Sequence, residues 1–244
     1  MADHSDRLVT FPPVEQALED PPGLLASGGD LSSETLIAAY SHGIFPWYQR
    51  GEPLLWWSPD PRAVLLPERL HLSRSLQRTM RRKRYQLRIN TAFDAVVSAC
   101  AAPRKDSHDS WITTEMQHAY AKLHKLGKAH SIEVWDGKEL IGGLYGVVVG
   151  SVFSAESMFY RQPDASKIAL AATCALLRQW HRPLLDCQII NPHLRRLGAE
   201  EIPRTQFKRF LPAYRESAPA QSSEWNAPTS WHSEELLEQL LTKA

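Results

Sequence analysis

The chain has 244 residues, 43% of them hydrophobic, with a formal net charge of +1 and three cysteines. That apolar content excludes a wholly disordered chain, and the near-neutral balance excludes any argument from global charge for a partner. Cys100, Cys174 and Cys187 are scattered and form no CxxC pair, which excludes a disulfide framework or zinc knuckle and fits a reducing cytoplasm.

The N-terminal stretch MADHSDRLVTFPP lacks a basic segment followed by an apolar one, so no export signal is read there. The first sixty or so residues are rich in proline, glycine and tryptophan. One helix is predicted among them, capped by Asp30 or Ser32, with Leu36, Ile37 and Tyr40 as its apolar face and Gly43 as its stop. Prolines at 46, 53, 59 and 61 forbid long regular elements beyond it, so residues 1–62 read as a small, loop-rich domain.

Regular patterning follows over 63–216, read as a larger domain. A short strand spans 62–66, and a helix runs over 72–82 with Leu76 and Met80 four apart. Tyr85, Leu87 and Ile89 alternate with polar residues as a strand. Phe93, Val96, Val97 and Cys100 form a helical stripe, and Met116, Ala119, Tyr120, Leu123 and Leu126 form another that stops at Gly127. A sheet begins at Ile132, turns at Asp136-Gly137, returns over 140–149 and turns again at Gly150 into a strand over 151–159. The run 144–149 is too short to cross a membrane. A long, mostly apolar helix over 165–180 precedes a strand at 184–189, a short helix capped by Asn191, and another helix from Thr205 to Phe210. Residues 217–228 read as a mobile Ser/Ala/Pro-rich stretch in a 217–244 tail, with a short appended helix at 233–241. This order of elements is α+β with a mixed, mostly antiparallel sheet flanked by helices.

Four groups of residues could carry chemistry. Between 69 and 88 stand Arg69, Arg74, Arg78, Arg81, Arg82, Lys83, Arg84 and Arg88, with no acidic residue. Arg74, Arg78 and Arg81 or Arg82 share a helical face, which suits a phosphate backbone without reading its sequence. The alternative is a solvated basic face; the absence of acids favours nucleic acid. Eight tryptophans are present, and Trp47, Trp56, Trp57 and Trp111, with Tyr48, sit in irregular segments where rings can stack on unpaired bases. Packing at a domain interface is the alternative for any single ring. In Ser154-Ala155-Glu156-Ser157-Met158-Phe159, alternation puts Phe153, Ala155, Ser157 and Phe159 on one face and Ser154, Glu156 and Met158 on the other. Glu156 then needs a partner, which is either a salt bridge across the sheet or a cation received from outside. Finally, Asp186 and Gln188 share one face of an apolar strand, where their side chains can bond to each other, and Asn191 stands beyond its C-terminal end. A polar patch feeding the next helix cap is an equally weighted reading of that strand. No HExxH, GxSxG, GxxxxGK[ST] or GxGxxG motif is present, so no metal or nucleotide-phosphate site is read.

Taken together, Gly23-Leu24-Leu25-Ala26 with Gly28-Gly29-Asp30-Leu31, Gly43-Ile44-Phe45-Pro46-Trp47, Leu55-Trp56-Trp57-Ser58-Pro59-Asp60-Pro61-Arg62, Trp111-Ile112-Thr113, Ala129-His130-Ser131-Ile132-Glu133-Val134-Trp135, Gly142-Gly143-Leu144-Tyr145-Gly146, Glu156-Ser157-Met158-Phe159, Asp164-Ala165-Ser166-Lys167 and Asp186-Cys187-Gln188 resemble the bacterial leucyl/phenylalanyl-tRNA–protein transferases. The resemblance runs in order from about residue 11 to about 211 and leaves the tail uncovered. It implies a larger domain of acetyltransferase-like (GNAT-type) fold. The implied reaction moves Leu or Phe, and less efficiently Met, from tRNA onto proteins beginning with Arg or Lys, creating an N-end rule degradation signal. It further implies that Asp186 and Gln188 serve the reacting amine, and that Glu156 and Asn191 meet the acceptor peptide. Trp47, Trp111, Tyr120 and Ser157 would hold the aminoacyl-adenosine, and Leu144, Phe153, Met158, Leu170 and Leu185 would line the side-chain pocket. Arg74, Arg78, Arg81, Arg82, Lys83 and Arg84 would meet the tRNA backbone. A cytoplasmic monomer with no cofactor, metal or membrane is expected. Ser154-Ala155, Leu144 and Thr173 depart from the usual family residues near the pocket, which leaves the donor preference open.

An acyl-CoA-dependent N-acetyltransferase is the competing enzyme reading, but its pyrophosphate loop needs glycines, and Arg161-Gln162-Pro163-Asp164-Ala165-Ser166 has none. A non-catalytic tRNA-binding module is the competing reading from another class, and it would not need Asp186 or Gln188.

Overall fold

The computed structural model describes residues 10–83, 85–103, 110–211, 225 and 230–242. The N-terminal segment forms a small three-stranded sheet from β1 (Leu24–Ser27), β2 (Phe45–Pro46) and β3 (Leu55–Trp57), in the order β1-β3-β2. Helix α1 (Ser33–Ser41) begins at Ser32, whose Oγ accepts the Thr35 amide, while Asp30 Oδ1 accepts from Ser32 N and Thr35 Oγ1. Both expected cap residues thus act together.

The larger sheet uses β4 (Arg62–Leu65), β5 (Gln86–Ile89), β6 (Ala129–Asp136), β7 (Glu139–Val149), β8 (Val152–Tyr160), β9 (Leu184–Gln188), β10 (Glu200–Ile202) and β11 (Ser230–His232). Their order is β10-β4-β9-β8-β7-β6-β5-β11, antiparallel throughout except for the β8–β9 pair. The fold is α+β, a small N-terminal unit beside a large mixed sheet flanked by helices.

One face of the large sheet packs on α2 (Arg74–Lys83) through Leu76 and Met80, on α5 (Ala165–Gln179) through Ile168, Ala169 and Ala172, and on α8 (Ser233–Leu241) through Leu236 and Leu237. The other face packs on α1, on α3 (Phe93–Ala101) through Phe93, Val96 and Val97, and on α4 (Thr114–Lys125) through Met116, Tyr120 and Leu123. Each helix presents the stripe that its apolar spacing dictates, save that Leu126, just past the end of α4, is exposed. Short helices α6 (Pro192–Arg196) and α7 (Arg204–Phe207) follow β9 and β10, and a separate 3₁₀ turn over Lys208–Phe210 completes what reads as one helix in the sequence.

Three sequence expectations change. The first concerns the β6–β7 hairpin, which turns on Gly137-Lys138, because Asp136 still pairs with Glu139 and the positive φ of 59° falls on Gly137. The second concerns the tail. The stretch 217–224 and 226–228 lies outside the described residues, but Trp225 is 1% exposed within the core and β11 pairs with β5, so α8 is built into the fold rather than appended. Ser233 secures it: its Oγ donates to Met80 O (2.8 Å) and accepts from Tyr85 N (3.0 Å). The third is the phase of β8. Tyr145 pairs with Ser157 and Gly146 with Ala155, so Glu156 is the extra residue of a bulge. Phe153 and Met158 therefore pack with the α5 face and Phe159 with the α3 face. Strict alternation had put Phe153 with Phe159, and Met158 with Glu156.

Candidate active site at the parting of two parallel strands

Strands β8 and β9 pair only at Val152–Leu184, Phe153–Leu185 and Ser154–Asp186. Beyond Ser154, β8 runs on to Tyr160 while β9 ends at Gln188, so the two strands part. Half-buried Ala155, Ser157, Met158 and Gln188 flank the opening. The C-terminal ends of parallel strands are where ligands enter sheets of this kind.

Asp186 is 0% exposed and holds a buried knot. Its Oδ1 accepts from Arg62 Nε (2.8 Å) and Gln188 N (3.0 Å), and its Oδ2 from Arg62 Nη2 (2.7 Å) and Ser154 Oγ (3.0 Å). Arg62, 1% exposed, also donates through Nη1 to Gly43 O (3.1 Å), and its guanidinium lies between the rings of Phe45 (4.9 Å) and Phe207 (4.7 Å). Arg62 opens β4 and reads in the sequence as part of an apolar strand. Its only signal is its place at the end of Ser58-Pro59-Asp60-Pro61-Arg62. The pair is bidentate and wholly desolvated, and it ties the N-terminal unit to the site strand.

Gln188 does not bond the Asp186 carboxylate through its side chain, as the shared face suggested. It presents its backbone N–H there instead. Its φ is 62°, and Ile189 N donates to Cys187 O (2.7 Å) across it, closing a three-residue turn. A left-handed non-glycine residue costs about 1–3 kcal/mol and marks positions over-determined by their surroundings. The turn sends the Gln188 side chain across the opening, where Nε2 donates to Glu156 Oε1 (2.8 Å).

Glu156 is 7% exposed, and its Oε2 accepts from Tyr120 (2.8 Å), whose hydroxyl lies 2.7 Å from that of Tyr40. Burial pushes the Glu156 carboxyl up to about 7, against the hydrogen bonds from Tyr120, Tyr40 and Gln188 that lower it. Tyr40 and Tyr120 are raised well above 10 by burial first and the Glu156 charge second, so they serve as neutral donors. Tyr145 packs edge-on to Tyr120 at 5.3 Å, and its hydroxyl finds no hydrogen-bond partner among the described residues. Tyr40 and Tyr145 join the site without having been singled out from the sequence.

The remaining expected residues are spread over several places. Leu144, Phe153, Leu170 and Leu185 are fully buried in the core under α5, with Met158 half-buried beside them. Trp47 is 41% exposed and tilted against Trp57 at 5.5 Å, and Trp111 is half-buried. Their segments are joined by a hydrogen bond between Tyr48 Oη and Thr113 Oγ1 (3.1 Å). Tyr120 is 1% exposed, and Ser157 lies beside Glu156 on β8. Asn191 is exposed and spends its Oδ1 on Leu194 N (2.8 Å) as the cap of α6.

Arg74, Arg78, Arg81, Arg82 and Lys83 are exposed along α2, and Arg84 lies outside the described residues. Arg74, Gln77, Arg78, Arg81 and Arg82 line an open depression of about 360 Å³. This patch is built on α2, apart from the strand opening. No described helix is long and apolar enough to cross a membrane.

Comparison with known proteins places this architecture among two-part transferases. One family model, leucyl/phenylalanyl-tRNA protein transferase, matches residues 64–212, and the model of that family's N-terminal domain matches residues 29–60. A leucyl/phenylalanyl-tRNA–protein transferase of Pseudomonas syringae pv. tomato is 54% identical over 201 residues, 82% of this chain and 88% of the relative. One from Nitrosomonas europaea is 54% identical over 215 residues, 88% and 91% of the two chains, and one from Tolumonas auensis is 52% identical over 213 residues, 87% and 91%. The chain belongs to the leucyl/phenylalanyl-tRNA–protein transferase family, whose members are aminoacyl-tRNA-dependent enzymes.

Proposed function

We propose that the chain transfers leucine or phenylalanine, and methionine less efficiently, from aminoacyl-tRNA to the α-amine of proteins that begin with Arg or Lys. The addition would mark those proteins for degradation through the N-end rule pathway. The observation that carries the reading is the opening between β8 and β9, bridged by Gln188 and Glu156, with an apolar core on one face of β8 and the buried polar network on the other.

An aminoacyl ester is already activated, so placement is the main task, and effective molarities for well-placed groups reach about 10⁵–10⁸ M. An α-amine has a pKa of about 7.7–8.0, so a useful fraction is neutral near pH 7. In this reading the neutral amine attacks the ester carbonyl and a C–N bond forms. The C–O bond to the ribose breaks, and the amine proton leaves with the ribose oxygen. Gln188 Nε2 is engaged by Glu156, which leaves the amide oxygen to accept from the incoming amine. Asp186 cannot take that proton without displacing a donor, since each of its oxygens already accepts two hydrogen bonds. Its role is to hold Gln188 in place. Glu156 receives the positive charge of the acceptor's first residue. Leu144, Phe153, Met158, Leu170 and Leu185 line the donor pocket, and Trp47 and Trp111, with Tyr120 and Ser157 beneath, hold the terminal adenosine. The α2 arginines meet tRNA phosphates.

The test is transfer of radiolabelled leucine from Leu-tRNA to peptides beginning with Arg or Ala, without CoA or ATP, by the wild type, Gln188→Ala and Glu156→Gln. Incorporation into the Arg peptide alone, at least tenfold weaker in Gln188→Ala and less selective in Glu156→Gln, is the expected outcome. Binding of tRNA without incorporation by the wild type would return the chain to the binding-module reading.

A further inference from the structure

Trp225 lies beyond the residues that the larger family model matches, yet it is stacked into the core. Its ring lies 5.2 Å from Phe153 at 21°, 4.5 Å from His130 at 13°, and 4.6 Å from Trp180 at 64°. Phe153 pairs with Leu185 one position before β8 and β9 part. Its side chain leaves the strand on the α5 face beside the opening, with its ring reaching over Gly146 of β7. The other constraint on that ring is Gly146 on the neighbouring strand, where an added β-carbon would stand 2.5 Å from Phe153 Cε1. Phe153 is thus held between a glycine that leaves it room and an indole that fixes its tilt.

The indole is itself fixed. Asn90, with φ 58°, donates through Nδ2 to both Trp225 O (2.9 Å) and His130 Nδ1 (3.0 Å), and its Oδ1 accepts from Ser131 N (3.0 Å). Burial holds the His130 ring neutral, its pKa lowered to about 3, and the Asn90 amide, which can only donate, makes Nδ1 the acceptor. Trp225 Nε1 finds no hydrogen-bond partner among the described residues, so the indole is placed by its shape and its backbone carbonyl.

We propose that Trp225 is a positioning residue for the donor amino acid: through Phe153 it sets the depth of the apolar pocket and so the preference between leucine and phenylalanine. The proposal rests on the reading that Phe153 belongs to that pocket. Without the indole the Phe153 ring can retreat, the pocket deepens, and the larger donor gains.

The experiment measures kcat/KM for Phe-tRNA and Leu-tRNA with the wild type, Trp225→Ala, Trp225→Phe, Asn90→Gly and Phe153→Leu. A pocket that gains or loses a few carbons discriminates by factors of about 10–200. Trp225→Ala should raise the Phe-to-Leu ratio about tenfold, with Trp225→Phe and Asn90→Gly shifting it the same way by less, and Phe153→Leu shifting it directly. A purely structural Trp225 would weaken both donors equally and leave the ratio unchanged. If Phe153→Leu moves the ratio and none of the Trp225 or Asn90 variants does, the coupling is overturned while the pocket stands. If Phe153→Leu leaves the ratio unchanged as well, the pocket reading falls and the coupling with it. Should Trp225→Ala fail to fold, Trp225→Phe and Asn90→Gly decide the matter by the same ratio.

Discussion

Glu133 and Glu156 are both buried on the large sheet, two strands apart, at 0% and 7% exposure. Glu133 sits on β6 under the start of α3. It accepts from Ala92 N (2.7 Å), Ser131 Oγ (2.9 Å), Trp135 Nε1 (3.2 Å) and Thr91 Oγ1. Glu156 sits on the β8 bulge and is served by Tyr120, Tyr40 and Gln188, the last of which is also the proposed partner of the reacting amine. Burial is common to both, but the supply of donors differs. A carboxylate with a full set of donors needs nothing further and acts as a strut. One with a deficit has its ionised form disfavoured and gains from a cation. Asp186, with four donors of its own, falls on the Glu133 side of this divide, although it lies within the site.

The comparison can be broken most forcefully at Asp186. Replacing it by Leu leaves the Arg62 charge buried and unpaired, and urea unfolding should show a loss of about 3–5 kcal/mol. A loss below 1 kcal/mol would mean that the knot is not the strut described. Glu133→Gln comes next. Hydrogen bonds to a charged acceptor are worth about 1.5–3 kcal/mol, so a destabilisation of that order is expected in the same assay, with the ratio of Leu to Phe transfer unchanged.

Glu156→Gln sharpens the comparison with the smallest effect and the opposite sign. The carboxyl titrates at about 7 in the folded chain against 4.5 for an ordinary glutamate, so between those values the native state holds more protons than the unfolded one. Stability from this group is therefore full below pH 4.5 and is lost as pH rises through 7. The groups acting on it are Asp186, which raises its pKa, and Tyr120, Tyr40 and Gln188, which lower it. Glu156→Gln should be more stable than the wild type at pH 8, by on the order of 1 kcal/mol, with the gain vanishing towards pH 5. His130 works the other way, since its lowered pKa withdraws stability as pH falls below about 6.5. It is common to both proteins and cancels in their difference. A pH-independent difference would remove the argument for an under-supplied carboxylate.

Much of the scaffold is legible in the sequence because its period is carried by many residues. The stripes Leu76–Met80, Phe93–Cys100 and Met116–Leu123 each face a core as their spacing requires. Short elements are a different matter. β10 and β11 have three residues each, and they exist because Ala63 and Leu87 offer them a paired edge. Nothing local in Glu200–Ile202 or Ser230–His232 announces this. The site divides in the same way. Asp186, Gln188 and Glu156 stand out as polar residues in apolar strands. Arg62 does not, because its meaning lies in a carboxylate 124 positions away. The Gln188 side chain was misdirected for a further reason, since alternation assumes extended backbone and that residue leaves it.

The bulge at Glu156 also separates the site from the packing of the strand that carries it. A chain could exchange that carboxylate for another side chain and keep both layers intact. Dropping the residue would leave Ser157 opposite Tyr145 and Met158 opposite Leu144, whereas keeping it and straightening the strand would send Met158 to the α3 layer and Phe159 to the α5 layer. The carboxylate thus stands at a position surplus to the ladder, where it can be exchanged or lost without turning over either layer.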